Sequence, residues 1–149
     1  SEYYTGTTGK FSKYDEMGFM PTIKPDKEPI MPRQISQITS DVLGDLMSSY
    51  SVWREYTEDN LLKAVAAATE IKTNYDYQYS RKFVIAEGST DKQKRAFVDT
   101  IEEIHELNVN YINAQMLVDL LSGKLESLSN CLTIVSREIT RRENLGMRT

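Results

Sequence analysis

The chain contains one cysteine, Cys131, one histidine, His105, and no proline beyond Pro32. A lone cysteine cannot close an internal disulfide, which fits a reducing compartment. A lone histidine leaves no serine or cysteine nucleophile with a second imidazole to share proton transfer, and no glycine-rich phosphate loop is present. Glu102 and His105 have the spacing of a helical di-iron ligand pair, but such a site needs a second pair from another helix and His105 has no counterpart. A non-catalytic protein with no metal and no cofactor is expected. No apolar run approaches the roughly 20 residues of a membrane span. The first residues, SEYYTGTTGK, lack a basic region followed by an apolar stretch, so no secretory signal and no membrane partner are expected. Positive charge is not in excess either: 18 Lys and Arg stand against 22 Asp and Glu, a formal charge of -4. That balance argues against nucleic-acid binding over the whole surface and confines any such contact to a local patch.

What is present divides in two, an arm over residues 1–39 and a helical part over 40–149. The arm holds all four prolines, Pro21, Pro25, Pro29 and Pro32, together with Gly6, Gly9 and Gly18, and so cannot carry a long helix. It is also rich in Tyr, Phe, Met and Ile, more apolar than a disordered tail. It is therefore expected to dock on its own helices or on a neighbouring subunit.

From Ser40, a candidate N-cap followed by Asp41, apolar residues recur at three- and four-residue steps through Leu43, Tyr50, Trp53, Ala64 and Ala68 to Tyr75 and Tyr79. The spacing predicts a helix over 41–87, stopped by Gly88, and Thr90 with Gln93 forms a capping box for a second helix over 91–144. Steps of seven from Phe97 give Ile104, Tyr111, Val118, Leu125, Leu132 and Ile139. The positions three residues on are Thr100, Leu107, Ala114, Leu121, Leu128 and Val135. This heptad pattern predicts an all-α fold, a long antiparallel helical hairpin with coiled-coil-like packing, turning near 88–90 and preceded by the extended N-terminal arm. Cys131 falls beside the seam and reads as a packed thiol. Two helices cannot cover each other's stripes fully, so self-association, cover by the arm, or both are expected.

One stretch, NYDYQYSRKF at 74–83, places tyrosines at alternate positions, as a strand would. On a helix Tyr75 and Tyr79 share a face, i and i+4, and Tyr77 points away beside Arg81 and Lys82. Residues 81–95 hold five basic side chains, Arg81, Lys82, Lys92, Lys94 and Arg95, against Glu87 and Asp91, whereas 99–126 hold six acidic against Lys124. Phosphate attraction is thus expected near the turn and not along the middle. A closing run, Arg137, Arg141, Arg142 and Arg148, is expected to neutralise acids at the start of the first helix.

The helical part, residues 43–142, resembles the UvsY family of phage recombination mediators. The residues that carry the resemblance are Tyr50-Ser51-Val52-Trp53, the aromatic-basic YDYQYSRK, and Asp119-Leu120-Leu121-Ser122-Gly123-Lys124-Leu125. The family's members are small, helical and oligomeric, bind single-stranded DNA, and help a recombinase displace the single-strand-binding protein. The resemblance implies a single-strand contact formed or bordered by Tyr77, Arg81, Lys82, Lys92, Lys94 and Arg95, homo-oligomers, and a place in the cytoplasm of an infected host cell. A second reading is a virion or assembly component whose arm and heptad helices pack on neighbouring subunits.

Overall fold

The structure, a computed structural model, describes residues 23–146. The arm's first 22 residues and Arg148 therefore lie outside the described residues. Among those described, all regular structure is helical: a short 3₁₀ turn at Ile35–Gln37, then α1 (Ser40–Val84), α2 (Asp91–Asp99) and α3 (Glu102–Asn144).

Local chemistry sets the ends. Thr39, and not Ser40, caps α1: its Oγ1 accepts from the Val42 N–H at 3.3 Å, and its carbonyl accepts from Leu43. α1 stops at Val84, three residues short of the expected 87, with Gly88 beyond it at φ 141°. Gly88 serves the next helix instead of capping this one. A Cβ there would lie 2.8 Å from the Gln93 Cβ, so the missing side chain lets the backbone pass close to the α2 cap. Thr90 Oγ1 accepts from the Gln93 N–H as the capping box predicts, but Gln93 Oε1 returns to the N–H and hydroxyl of Ser89.

The expected second helix is two helices. At Thr100 and Ile101 the backbone N–H groups bond back only three residues, to Phe97 and Val98, and the Thr100 hydroxyl also donates to the Phe97 carbonyl at 2.7 Å. A side-chain hydroxyl competing for a helix carbonyl, followed by β-branched Ile101, interrupts the ladder. The break resets the phase of the heptad. Phe97 is 42% exposed, not a seam residue, and its neighbour Val98 is fully buried.

The contacts of the described residues fall into two units, one formed by 23–61 with 121–146, the other by 62–120. In the first, Leu43, Tyr50, Trp53 and Tyr56 of α1 pack with Leu128 and Val135 of α3, and Met31, Ile35 and Ile38 of the preceding segment join them. That segment is also tied by polar bonds. Trp53 Nε1 donates to the Lys27 carbonyl at 2.8 Å, Lys124 pairs with Glu28, and Arg142 donates to the carbonyls of Ile35 and Ile38. Residues 27–38 thus dock on their own chain. Burial pushes the Tyr50 phenol up to about 12, helped by its hydrogen bond with Cys131, which packs against this core.

Steps of seven on α1, Leu43, Tyr50, Thr57 and Ala64, are all buried, as is Asn60. The Thr57 hydroxyl and the Asn60 Nδ2 each donate to the carbonyl four residues back, of Trp53 and Tyr56, while the Asn60 Oδ1 is buried without a hydrogen-bond partner among the described residues. On α3 the deepest ladder is Ala114, Leu121, Leu128 and Val135, ending in Arg142. Ile104 is buried too, while Tyr111, Val118, Leu125, Leu132 and Ile139 are half-buried along the ladder's edge.

Candidate nucleic-acid interface

The basic residues singled out between 77 and 95 all belong to the second unit, on the last turns of α1 and the first of α2. Tyr77 is 60% exposed, and the Arg81 guanidinium lies 5.7 Å from its ring centroid, within cation–π range. Lys94 of α2 stands 5.6 Å from the ring of Phe83 in the same way. Phe83 was missed as a sequence candidate because its pairing with Lys94 depends on the 85–90 connection. Lys82 is half-buried and approaches Glu103 at 3.9 Å, the outer limit of an ion pair. Arg81, Lys92, Lys94 and Arg95 pair with no carboxylate among the described residues, and Arg81, Lys92 and Arg95 are exposed.

The tyrosines on the other face do different work. Tyr75 and Tyr79 are half-buried with ring centroids 5.8 Å apart. Burial raises both phenols above their ordinary value; Asp99 adds to this, while Arg95 opposes it at Tyr79. With Asp76, Ser80 and Asp99 these tyrosines line a hollow of about 390 Å³; Asp76 is paired with Lys72 at 2.7 Å, which leaves Asp99 as the carboxylate that would repel phosphate. The surface of this unit thus has an acidic hollow and separate cation–aromatic pairs, and the latter are suited to a charged backbone with exposed bases.

The closing arginines separate by role. Glu138 accepts from both Arg141 and Arg142, and it is held at about 2, chiefly by the Arg141 hydrogen bonds, with burial opposing and Arg142 adding. Arg142 is 4% exposed and completes its fork on Ser40 Oγ and two carbonyls. The expected neutralisation of acids at the start of α1 is not what Arg142 does: its acid is Glu138, on its own helix. Arg137 pairs with no carboxylate among the described residues.

His105, Glu102 and Glu103 are exposed, and among the described residues no group of three His, Cys, Asp or Glu side chains is placed to share a metal ion. No described helix is long and apolar enough to cross a membrane. No family model, curated protein or solved structure matches this chain.

Proposed function

We propose that the protein is a non-catalytic, self-associating helical accessory factor that binds single-stranded DNA in the manner of the recombination mediators its helices resemble. The observation that carries the reading is the pair of cation–aromatic contacts, Arg81 on Tyr77 and Lys94 on Phe83, beside Lys92 and Arg95, which pair with no carboxylate among the described residues. In a chain of net charge -4, these cations stand close together without carboxylate partners among the described residues. Aromatic faces stack on any base, and the cations neutralise phosphates, so the expected ligand is single-stranded and read without sequence preference. The antiparallel hairpin belongs to the same proposal. It is supported within the first unit by Arg142 reaching Ser40 while Arg54 reaches Ser129. The phage and recombination context, and with it the infected-cell cytoplasm, comes from the resemblance alone.

The test is oligo-dT binding across a salt series. The chain is expected to bind at low salt and to weaken as salt rises. A variant with Arg81→Gln, Lys92→Gln, Lys94→Gln and Arg95→Gln should show a salt dependence shallower by about 0.7 log units per lost phosphate contact. A wild-type chain that does not bind at low salt rules the reading out.

A virion or assembly role is favoured by a different observation. Val109, Ile112, Met116 and Leu120 of α3, at steps of three, four and four, form one exposed apolar stripe in the second unit. Such a stripe suits packing on neighbouring subunits.

A further inference from the structure

The first unit holds a second cationic feature, absent from the sequence candidates. Between residues 47–54 of α1 and 129–137 of α3 lies an open groove of about 430 Å³, within the roughly 300–1,000 Å³ range of clefts that take small organic ligands. Arg54 and Arg137 stand on its two walls, both exposed. Neither is engaged by a carboxylate among the described residues. Glu58 is one helical turn from Arg54, Glu55 is its chain neighbour and Glu138 is that of Arg137, yet none reaches ion-pair distance of either arginine. The contact Arg54 does make is neutral: its Nε donates to Ser129 Oγ at 3.0 Å, which orients the guanidinium without discharging it.

Between the arginines the walls carry hydroxyls, from Ser51 on α1 and Ser129, Thr133 and Ser136 on α3. Thr133 spends its proton on the Ser129 carbonyl, leaving the other hydroxyls to donate to an incoming oxygen anion. The floor is apolar, formed by half-buried Met47 and Leu132. Paired guanidiniums and hydroxyls over an apolar floor match a phosphate joined to a flat, poorly hydrated group. Guanidiniums recognise phosphate by bidentate hydrogen bonding, and sulfur and leucine side chains accept a base or sugar face.

We propose that this groove is a second nucleic-acid contact, in which Arg54 and Arg137 hold a backbone phosphate of a single strand and Met47 with Leu132 receive the adjoining sugar or base. The assignment rests on the single-strand reading above and extends it to the first unit, where the sequence pointed to neutralisation of acids as the role of the closing arginine run.

The experiment compares three full-length chains for oligo-dT binding between low and moderate salt: wild type, Arg54→Gln/Arg137→Gln, and the four-residue variant of the Arg81–Arg95 cluster. Both groove side chains are exposed, so the double variant should fold, and an unchanged melting curve checks this. The expected result is a salt slope shallower by about 0.7 log units in the groove variant, the loss of the one phosphate that both arginines hold. Cross-links from a 4-thiothymidine oligonucleotide to the peptides carrying Met47 or Leu132 should be present in the wild type and lost in the groove variant. An unchanged slope with cross-links confined to the 77–95 region overturns the groove while leaving the single-strand reading intact. A wild type that does not bind oligo-dT overturns both.

Discussion

At the scale of single residues, Arg142 and Glu138 show how the end of α3 is fastened. The seven-residue ladder of Ala114, Leu121, Leu128 and Val135 would call for an aliphatic side chain next, and the chain places a buried arginine there. A leucine would leave the Ile38 carbonyl without the Arg142 donor it now has and the Ile35 carbonyl with only the long bond from the Ile38 N–H. Glu138 supplies the countercharge, and its carboxyl, at about 2, lies below its ordinary value near 4.5. Because the folded value is the lower one, its ionisation stabilises the fold fully above the ordinary carboxylate range. That contribution is lost as pH falls from about 4.5 through about 2. Melting temperatures of wild type and Glu138→Gln, measured from pH 7 down to pH 2, should differ most at the neutral end and converge at the acid end. A gap that stays constant with pH would show that the ion pairs contribute nothing through charge.

At the scale of elements, the glycines separate two effects that composition alone merges. Gly123 sits exposed in α3 with nothing within 4 Å of the place a Cβ would occupy. Gly123→Ala should therefore stabilise by up to about 1 kcal/mol through helix propensity. Gly88→Ala should do the reverse, destabilising by more than about 1 kcal/mol, since its φ of 141° and the 2.8 Å approach to Gln93 both exclude a side chain. Urea denaturation of the two variants checks the opposite signs. Helical periodicity was legible because long proline-free runs with three-and-four spacing have no competing interpretation. The Thr100 interruption was not, because one hydroxyl bonding a carbonyl decides it and the heptad count passes through undisturbed. Thr57 and Asn60 were missed as core for a related reason: they lie on the seven-residue steps from Leu43 and Trp53, but their polarity masks the position. Among the site residues, Arg81 beside Tyr77 was readable as an i,i+4 pair on one helix. Phe83 with Lys94, and Arg54 with Arg137, join residues distant in sequence, and only the folded chain brings them together.

At the scale of the whole molecule, the question is what covers the apolar stripe of α3. Val109, Ile112, Met116 and Leu120 are between 38% and 68% exposed, whereas Ala114 and Leu121 on the opposite face are buried. Leaving four large apolar side chains in water forgoes about 25 cal/mol per Å² of the area a second copy would cover. Removing the arm is a poor way to probe this, because Met31, Ile35 and Ile38 belong to the first unit's core and their loss would damage the chain itself. Met116→Glu with Leu120→Glu is cleaner: both side chains are more than half exposed, so the substitutions should leave the fold intact and act on association alone. Sedimentation velocity should find the wild type in oligomers and the double variant shifted toward monomer by tenfold or more in dissociation constant, about 1.4 kcal/mol or greater. Oligo-dT binding by the same variant then weighs the two functional readings. If a monomeric variant loses strand affinity, association serves nucleic-acid binding by multiplying the contacts each strand meets. If the wild type assembles but no strand binds to either form, assembly is the function, and the stripe matters more than the cations.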